Sequence, residues 1–192
     1  MFDLDRFIAD CREAVTQAND HRAVRELVAR AVIEPAFVIQ TLGEPRFAGV
    51  DALYRGDDVT ILNVVWAPLM TILPHDHRTW AVIGVYTGAE DNVYWRRIDT
   101  ENGARIEAAG ARSLRTGDAE PLGRDIIHSI TNPIPRLTGA IHVYRGDFMA
   151  IARSEWDPQA LTERPYDHEK NYRSFAEADA RFTAGQAQRN AH

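Results

Sequence analysis

The chain is poor in the features that mark several large protein classes. Its single cysteine, Cys11, can form no internal disulfide, which excludes a cross-linked scaffold and suits a reducing compartment. No stretch approaches the roughly 18 apolar residues of a membrane-spanning helix. The opening Met1-Phe2-Asp3-Leu4-Asp5 is too acidic and too polar for a signal peptide, so a cytoplasmic location is expected. There is no long basic run, and 22 Lys and Arg stand against 28 Asp and Glu for a net charge of −6, so neither nucleic acid nor an anionic membrane is an expected partner. A Gly-x-Gly-x-x-Gly fingerprint for a dinucleotide is missing, as are internal repeats and low-complexity tracts.

What remains is a chain of 192 residues, 45% hydrophobic, sized for one domain spanning 1–192 with a substantial core. Residues 1–46 read as a helical extension. Leu4, Phe7, Ile8 and Cys11, then Val24, Leu27, Val28, Ala31 and Val32, recur at helical spacing, with boundaries at Asn19-Asp20 and Pro35. Residues 47–150 read as the β core. Short apolar runs at Val59–Trp66, Trp80–Tyr86, Asn92–Arg97, Ala111–Leu114, Ile126–Ile130 and Thr138–Tyr144 are separated by turns such as Arg55-Gly56-Asp57-Asp58, Glu101-Asn102-Gly103, Thr116-Gly117-Asp118 and Asn132-Pro133. Many short strands without intervening helices argue for a mainly β sandwich or barrel, read as a small double-stranded β-helix. Residues 151–192 read as a polar segment packing on the barrel, with a short helix over Tyr172–Phe182 and a loosely ordered end from Ala184.

The chemistry concentrates in His75-Asp76-His77. Side chains alternate faces along a strand, so His75 and His77 project together and can reach one metal ion while Asp76 and Arg78 turn away. Pro74 suits the start of that strand, and Trp80–Tyr86 reads as its continuation, closing at Thr87-Gly88. His128, in Pro121-Leu122-Gly123-Arg124-Asp125-Ile126-Ile127-His128, supplies a third imidazole. Three neutral imidazoles leave open coordination positions and accept Fe(II), Zn(II), Ni(II) or Cu(II) alike.

These residues resemble the two half-motifs of the cupin superfamily. His75-x-His77 lies eleven residues before Gly88, and Pro121-x-Gly123, His128 and Asn132 match the second half. Many cupins carry a metal-binding glutamate where this chain has Ala81 or Val82, which leaves a site of three histidines. With Ile141-His142-Val143-Tyr144 further on, the chain resembles the thiol dioxygenases, a family that includes cysteine dioxygenase and 3-mercaptopropionate dioxygenase, most strongly from Thr60 to Tyr144. The resemblance implies a cupin jelly-roll barrel with N-terminal helices, Fe(II) on His75, His77 and His128, and a small thiol acid and O2 as substrates. It implies a sulfinate product.

The same resemblance gives His142 and Tyr144 the role of a proton-handling pair. The family's relay reads Ser-x-His-x-Tyr, and Ala140 here takes the serine position, so His142 is expected to lack that partner. Cys11 lies far from the motif, so Tyr144 is expected to be free of a cysteine crosslink. Arg153 is the expected holder of the substrate carboxylate, ahead of Arg55. Trp80 is the tryptophan expected to wall the site, His21 and His168 are expected at the surface, and Asp118 and Asp125 as turn formers or partners of a ligand imidazole. Two other classes stay open: a different metal-dependent cupin enzyme, such as an isomerase, a carbon-cleaving dioxygenase or a hydrolase, and a non-catalytic metal- or ligand-binding cupin. Nothing in the sequence fixes an oligomeric state.

Overall fold

The computed structural model describes residues 1–17, 21–101 and 103–190, with side chains to residue 185. Asn19-Asp20 and Asn102, read as a helix break and a turn, lie outside these. Three helices, α1 (Leu4–Gln17), α2 (Arg22–Val32) and α3 (Pro35–Leu42), precede the strands. Pro35 opens α3 at its first turn, where the missing N–H breaks no helical bond. Among the described residues no helix is long and apolar enough to cross a membrane.

Eleven strands follow: β1 (Gly49–Arg55), β2 (Val59–Trp66), β3 (Thr71–Asp76), β4 (Ala81–Thr87), β5 (Ala89–Thr100), β6 (Gly103–Arg115), β7 (Ala119–Leu122), β8 (Ile127–Thr131), β9 (Thr138–Arg145), β10 (Ser154–Trp156) and β11 (Glu163–Pro165). They form a five-stranded sheet in the order β1-β2-β9-β4-β7 and a six-stranded sheet in the order β11-β10-β3-β8-β5-β6. Among the described residues every ladder is antiparallel. The architecture is a mainly β double-stranded β-helix, with helices at both ends of the chain. A last helix, α4 (His168–Asn190), follows β11.

The inner strands of the five-stranded sheet are buried on both faces, which explains why β2, β4 and β9 read as unbroken apolar runs. Leu62, Val64 and Trp66, with Ala81, Ile83, Val85, Ala140 and Tyr144, point into the barrel. Their neighbours Val59, Ile61, Val82, Tyr86, Ile141 and Val143 point outward onto Phe7, Cys11, Val24, Val28 and Val32 of the helices. Gly84 lets α2 approach β4, since a Cβ there would overlap Val28 and lie 2.9 Å from a methyl of Val32. From the other end, Phe175 of α4 stacks on Trp66 with ring centroids 5.2 Å apart and joins the barrel interior.

The structure corrects several expectations. Pro74 sits inside β3 rather than at its start, at the irregularity between Ile72 and His75 in the β3–β8 ladder. A proline has no N–H to give a ladder, and a bulge asks for none. Nor does β3 run on into β4. Arg78 takes a positive φ of 55°, and the chain crosses to the other sheet before Ala81. The β5–β6 hairpin extends well beyond Asn92–Arg97 and Ala111–Leu114, because its outer parts are exposed and polar and carry no apolar signature. β1, β7, β10 and β11 were not read as strands. α4 is longer than Tyr172–Phe182, and its backbone is helical through 184–190, expected to be loosely ordered. Its surface is polar almost all round, with ion pairs Arg173–Glu169 and Arg181–Glu177 one turn apart, so the apolar stripe that signals a helix is thin.

The close approach of α2 to β4 gives a stability prediction. Gly84→Ala is expected to cost about 1 to 3 kcal/mol by overpacking, read as a lower denaturation midpoint in urea. An unchanged midpoint would show that α2 is not held against β4 at this position.

Candidate metal centre

His75 of β3 lies directly across from His128 of β8 in the antiparallel ladder, and His77 follows two residues on, on the same face. Their ligand nitrogens all lie within 4.8 Å of one another. All three are buried, at 6%, 3% and 0% exposure for His75, His77 and His128. His75 Nδ1 lies 2.9 Å from the carbonyl oxygen of Leu73, which only accepts, so Nδ1 carries the proton and Nε2 the lone pair. His128 Nδ1 lies 2.7 Å from Asn92 Oδ1, which leaves Nε2 bare in the same way. His128 Nε2 in turn faces His77 Nε2 at 3.1 Å.

The donor set fits a divalent metal. Two nitrogens each about 2.1 Å from one ion and at about a right angle lie about 3 Å apart. In the metal-free protein one proton can bridge the His77–His128 contact. Burial pushes the His75 pKa down to about 4 and holds those of His77 and His128 well below the ordinary value, their mutual proximity adding to the effect. The rings are therefore neutral at pH 7, the form that binds metal. Asp76 faces away, as alternation requires. It accepts from the Ser154 N–H at 2.8 Å and pairs with Arg78 at 2.7 Å, which ties β10 to β3.

Behind the histidines runs a buried polar chain. Asn92 Nδ2 donates to Glu90 Oε1 at 2.9 Å, and Trp66 Nε1 donates to Glu90 Oε2 at 3.0 Å. Glu90 and Asn92 are 0% and 1% exposed. Gly88 places them. Its φ of +88° turns β4 into β5, and a Cβ there would sit 2.9 Å from the Thr138 backbone, so only glycine fits.

In front lies a cavity of about 70 Å³ that reaches His75, His142, Tyr144 and Arg153. The Tyr144 hydroxyl meets His142 Nδ1 at 2.9 Å. Burial raises the Tyr144 pKa above its ordinary value, so the phenol keeps its proton at neutral pH. The Phe148 ring stacks on Tyr144 at 3.7 Å, the Arg153 guanidinium lies 3.9 Å over Phe148, and Tyr166 closes the stack 4.2 Å from Arg153. A planar guanidinium suits a slot between two rings. Arg153 Nη1 donates to the Phe148 carbonyl at 3.0 Å, while its buried Nε has no hydrogen-bond partner among the described residues.

The structure thus brings His75, His77, His128, His142, Tyr144 and Arg153 together. Arg55 is elsewhere, bound through two 2.8 Å contacts to Asp147. Of the two residues expected near a metal-binding glutamate's place, Ala81 points into the barrel and pairs with Tyr144, whereas Val82 faces the helices. Trp80 does not wall the site. The turn at Arg78 resets the alternation, so Trp80 packs with the helical layer and Trp66 takes the wall. His168, expected at the surface, lines the cavity half-buried beside Tyr166, with its pKa lowered mainly by burial. Asp118 caps its turn through the Arg115 N–H at 2.7 Å, and Asn132 is a buried clamp on the carbonyls of Trp66, Ala67 and Arg136. Cys11 is buried in the helical layer, away from Tyr144.

Glu90, Asn92, Phe148 and Tyr166 escaped the sequence reading. Glu90 and Asn92 carried one signal: two polar side chains at alternate positions, on one face, directly after Gly88. As expected from Ala140, His142 Nε2 has no hydrogen-bond partner among the described residues, and Glu90 Oε2 lies 3.8 Å from it.

No protein-family model matches the chain. Among solved structures it is similar to an RmlC-like cupin family protein with a double-stranded β-helix fold from Methanocaldococcus jannaschii, at 12% identity over 55% of this chain and 86% of that one, TM-score 0.43. A cupin superfamily protein from Desulfitobacterium hafniense matches at 16% identity over 56% of this chain and 86% of that one, TM-score 0.43. An oxalate oxidase in complex with glycolate matches at 21% identity over 47% of this chain, TM-score 0.39, and this chain covers 43% of its length. The fold assignment rests on the strand order described above.

Histidine burial sets the acid stability of the metal-free protein. The folded pKa values lie below the 6.5 of an ordinary histidine, so the unfolded chain binds more protons and stability falls as pH drops from about 7 toward 4. For His75 alone, a fall from 6.5 to about 4 amounts to on the order of 3 kcal/mol. Urea midpoints at pH 7, 5.5 and 4.5 are expected to decrease steadily, and His75→Asn to flatten the dependence. A level profile in the parent protein would contradict neutral, buried rings.

Proposed function

We propose that the protein is a non-haem iron thiol dioxygenase of the cupin superfamily that converts a small thiol acid, of the cysteine or 3-mercaptopropionate type, to its sulfinate. The observation that carries this reading is the His142–Tyr144 pair at 2.9 Å, which shares one cavity with His75 of the three-histidine group and with Arg153. The reaction balances as one thiol plus one O2 giving one sulfinic acid. Sulfur loses four electrons and the two oxygen atoms gain them, so no further reductant is needed.

When bound, ferrous iron would supply a +2 charge that holds a thiolate and a redox path between sulfur and dioxygen. His75, His77 and His128 would hold it through Nε2. Arg153, fixed between Phe148 and Tyr166, presents its buried Nε to a carboxylate. Tyr144 keeps a proton that can turn from His142 Nδ1 to an acceptor in the cavity, and His142 returns the hydroxyl to its resting direction. Leu62, Val64, Trp66, Ile130 and Phe175 line the rest and exclude water.

A second reading draws on the same arginine. A guanidinium that binds any small carboxylate also suits a metal-dependent cupin enzyme acting on a thiol-free acid. Oxygen uptake by the iron-loaded protein with cysteine, 3-mercaptopropionate, cysteamine, mercaptosuccinate and thiol-free carboxylic acids separates the two. Sulfinate formed in step with O2 consumed is expected, and turnover of a thiol-free acid alone would sink the thiol reading.

The residue roles make a joint prediction. His128→Ala is expected to lose both metal and oxygen uptake. Tyr144→Phe should keep the metal and lower kcat by about 10²-fold or more. Arg153→Lys should raise KM for the thiol acid by about 10-fold or more, through loss of a charged hydrogen bond, and leave cysteamine little changed. Metal analysis and steady-state kinetics of the three variants check this, and loss of metal in Tyr144→Phe would contradict the assignment.

A further inference from the structure

Glu90 is a carboxylate at 0% exposure that no step above uses. A carboxylate left in the barrel interior is costly unless its environment needs it. Its surroundings show what it does there. Oε2 accepts from Trp66 Nε1, a group that can only donate, and lies 3.8 Å from His142 Nε2. Oε1 accepts from Asn92 Nδ2. Because a carboxylate only accepts, Asn92 must turn its amide nitrogen to Glu90 and its Oδ1 to His128. Oδ1 also only accepts, so the proton of His128 is held on Nδ1 and the lone pair on Nε2, toward His77.

The same carboxylate orders the second histidine. His142 Nε2 is buried without a hydrogen-bond partner among the described residues and faces Glu90 Oε2. A lone pair aimed at a carboxylate is repelled, and an N–H aimed at it is attracted. The proton of His142 therefore sits on Nε2, and Nδ1 accepts from the Tyr144 hydroxyl.

We propose that Glu90 is a positioning residue that fixes the proton placement of both His128 and His142, so that one buried carboxylate aims a ligand lone pair at the metal and sets the direction of the Tyr144 hydrogen bond. The metal half rests on the reading of the three histidines as ligands. Glutamine would fill the same space but carries one acceptor and one donor. With its oxygen toward Trp66, its amide turns Asn92 over, puts Asn92 Nδ2 against His128 Nδ1 and drives the His128 proton onto Nε2, where the metal needs a lone pair. With its oxygen toward Asn92, its amide takes the acceptor from the Trp66 N–H, faces His142 Nε2 and inverts that ring instead.

Imidazole proton–nitrogen correlation spectra of the metal-free protein above pH 7, followed by Zn(II) titration, test this. The wild-type protein is expected to show His128 protonated on Nδ1 and His142 on Nε2, a result that requires no variant to fold. Glu90→Gln is expected, at unchanged secondary structure, to invert one of the two rings, and to weaken Zn(II) binding by about 10-fold or more where the inverted ring is His128. Wild-type His128 protonated on Nε2 would overturn the proposal. So would a Glu90→Gln protein with both rings as in the parent, or one with the His128 ring inverted and the Zn(II) affinity unchanged. Wild-type tautomers as expected, together with no binding of Zn(II) or Fe(II), would instead refute the metal reading and leave the proton order standing.

Discussion

The antiparallel pairing of β3 with β8 brings His75 opposite His128, and the remainder of the site is built around that contact. Side chains directly opposite on one face of such a ladder are within reach of each other, and a slip of one residue would send both to the other face. The irregularity at Leu73-Pro74 and the ladder from β8 to β5 hold the register on either side. His77 joins the group by alternation, and the turn at Arg78 then carries the chain to the opposite sheet, which brings β9 with His142 and Tyr144 across the barrel from the three histidines.

Enclosure does the next part of the work. Helices α1 to α3 cover the outer face of the five-stranded sheet, and α4 closes the barrel with Phe175. The interior that results keeps the imidazoles of His75, His77 and His128 neutral and Tyr144 protonated, and it makes every unpaired polar group costly. The polar groups inside are accordingly chained: Trp66 and Asn92 onto Glu90, His128 onto Asn92, Tyr144 onto His142. Arg153 is held by the rings of Phe148 and Tyr166 rather than by acids.

Much of this was legible in the sequence where the signal is local. β2 is bounded as its apolar run predicts, because both faces are buried and the turn at Arg55-Gly56-Asp57-Asp58 precedes it. The helical spacing of Val24, Val28 and Val32 marks the face of α2 that packs on the sheet. His75, His77 and His128 stood out because strand alternation and two short motifs point the same way. The misreadings follow where distant contacts or a single dihedral decide. Trp80 was assigned to the wrong face because the positive φ of Arg78 resets alternation. Glu90 gains its meaning from Trp66 and His142, and Phe148, Tyr166 and His168 from the way the chain after β9 folds back across the cavity. Polar β6 and α4 lack the apolar periodicity on which sequence reading depends.

The claim at the centre of this account is a three-imidazole metal site open to a thiol acid. X-ray absorption of the protein loaded anaerobically with one equivalent of Fe(II), before and after addition of 3-mercaptopropionate, tests it most directly. The account predicts three imidazole nitrogens at about 2.1 Å, by analogy with other imidazole sites, and a sulfur neighbour that appears when the thiol acid is added. Fewer than three imidazoles, or a spectrum that the thiol acid leaves unchanged, would contradict it.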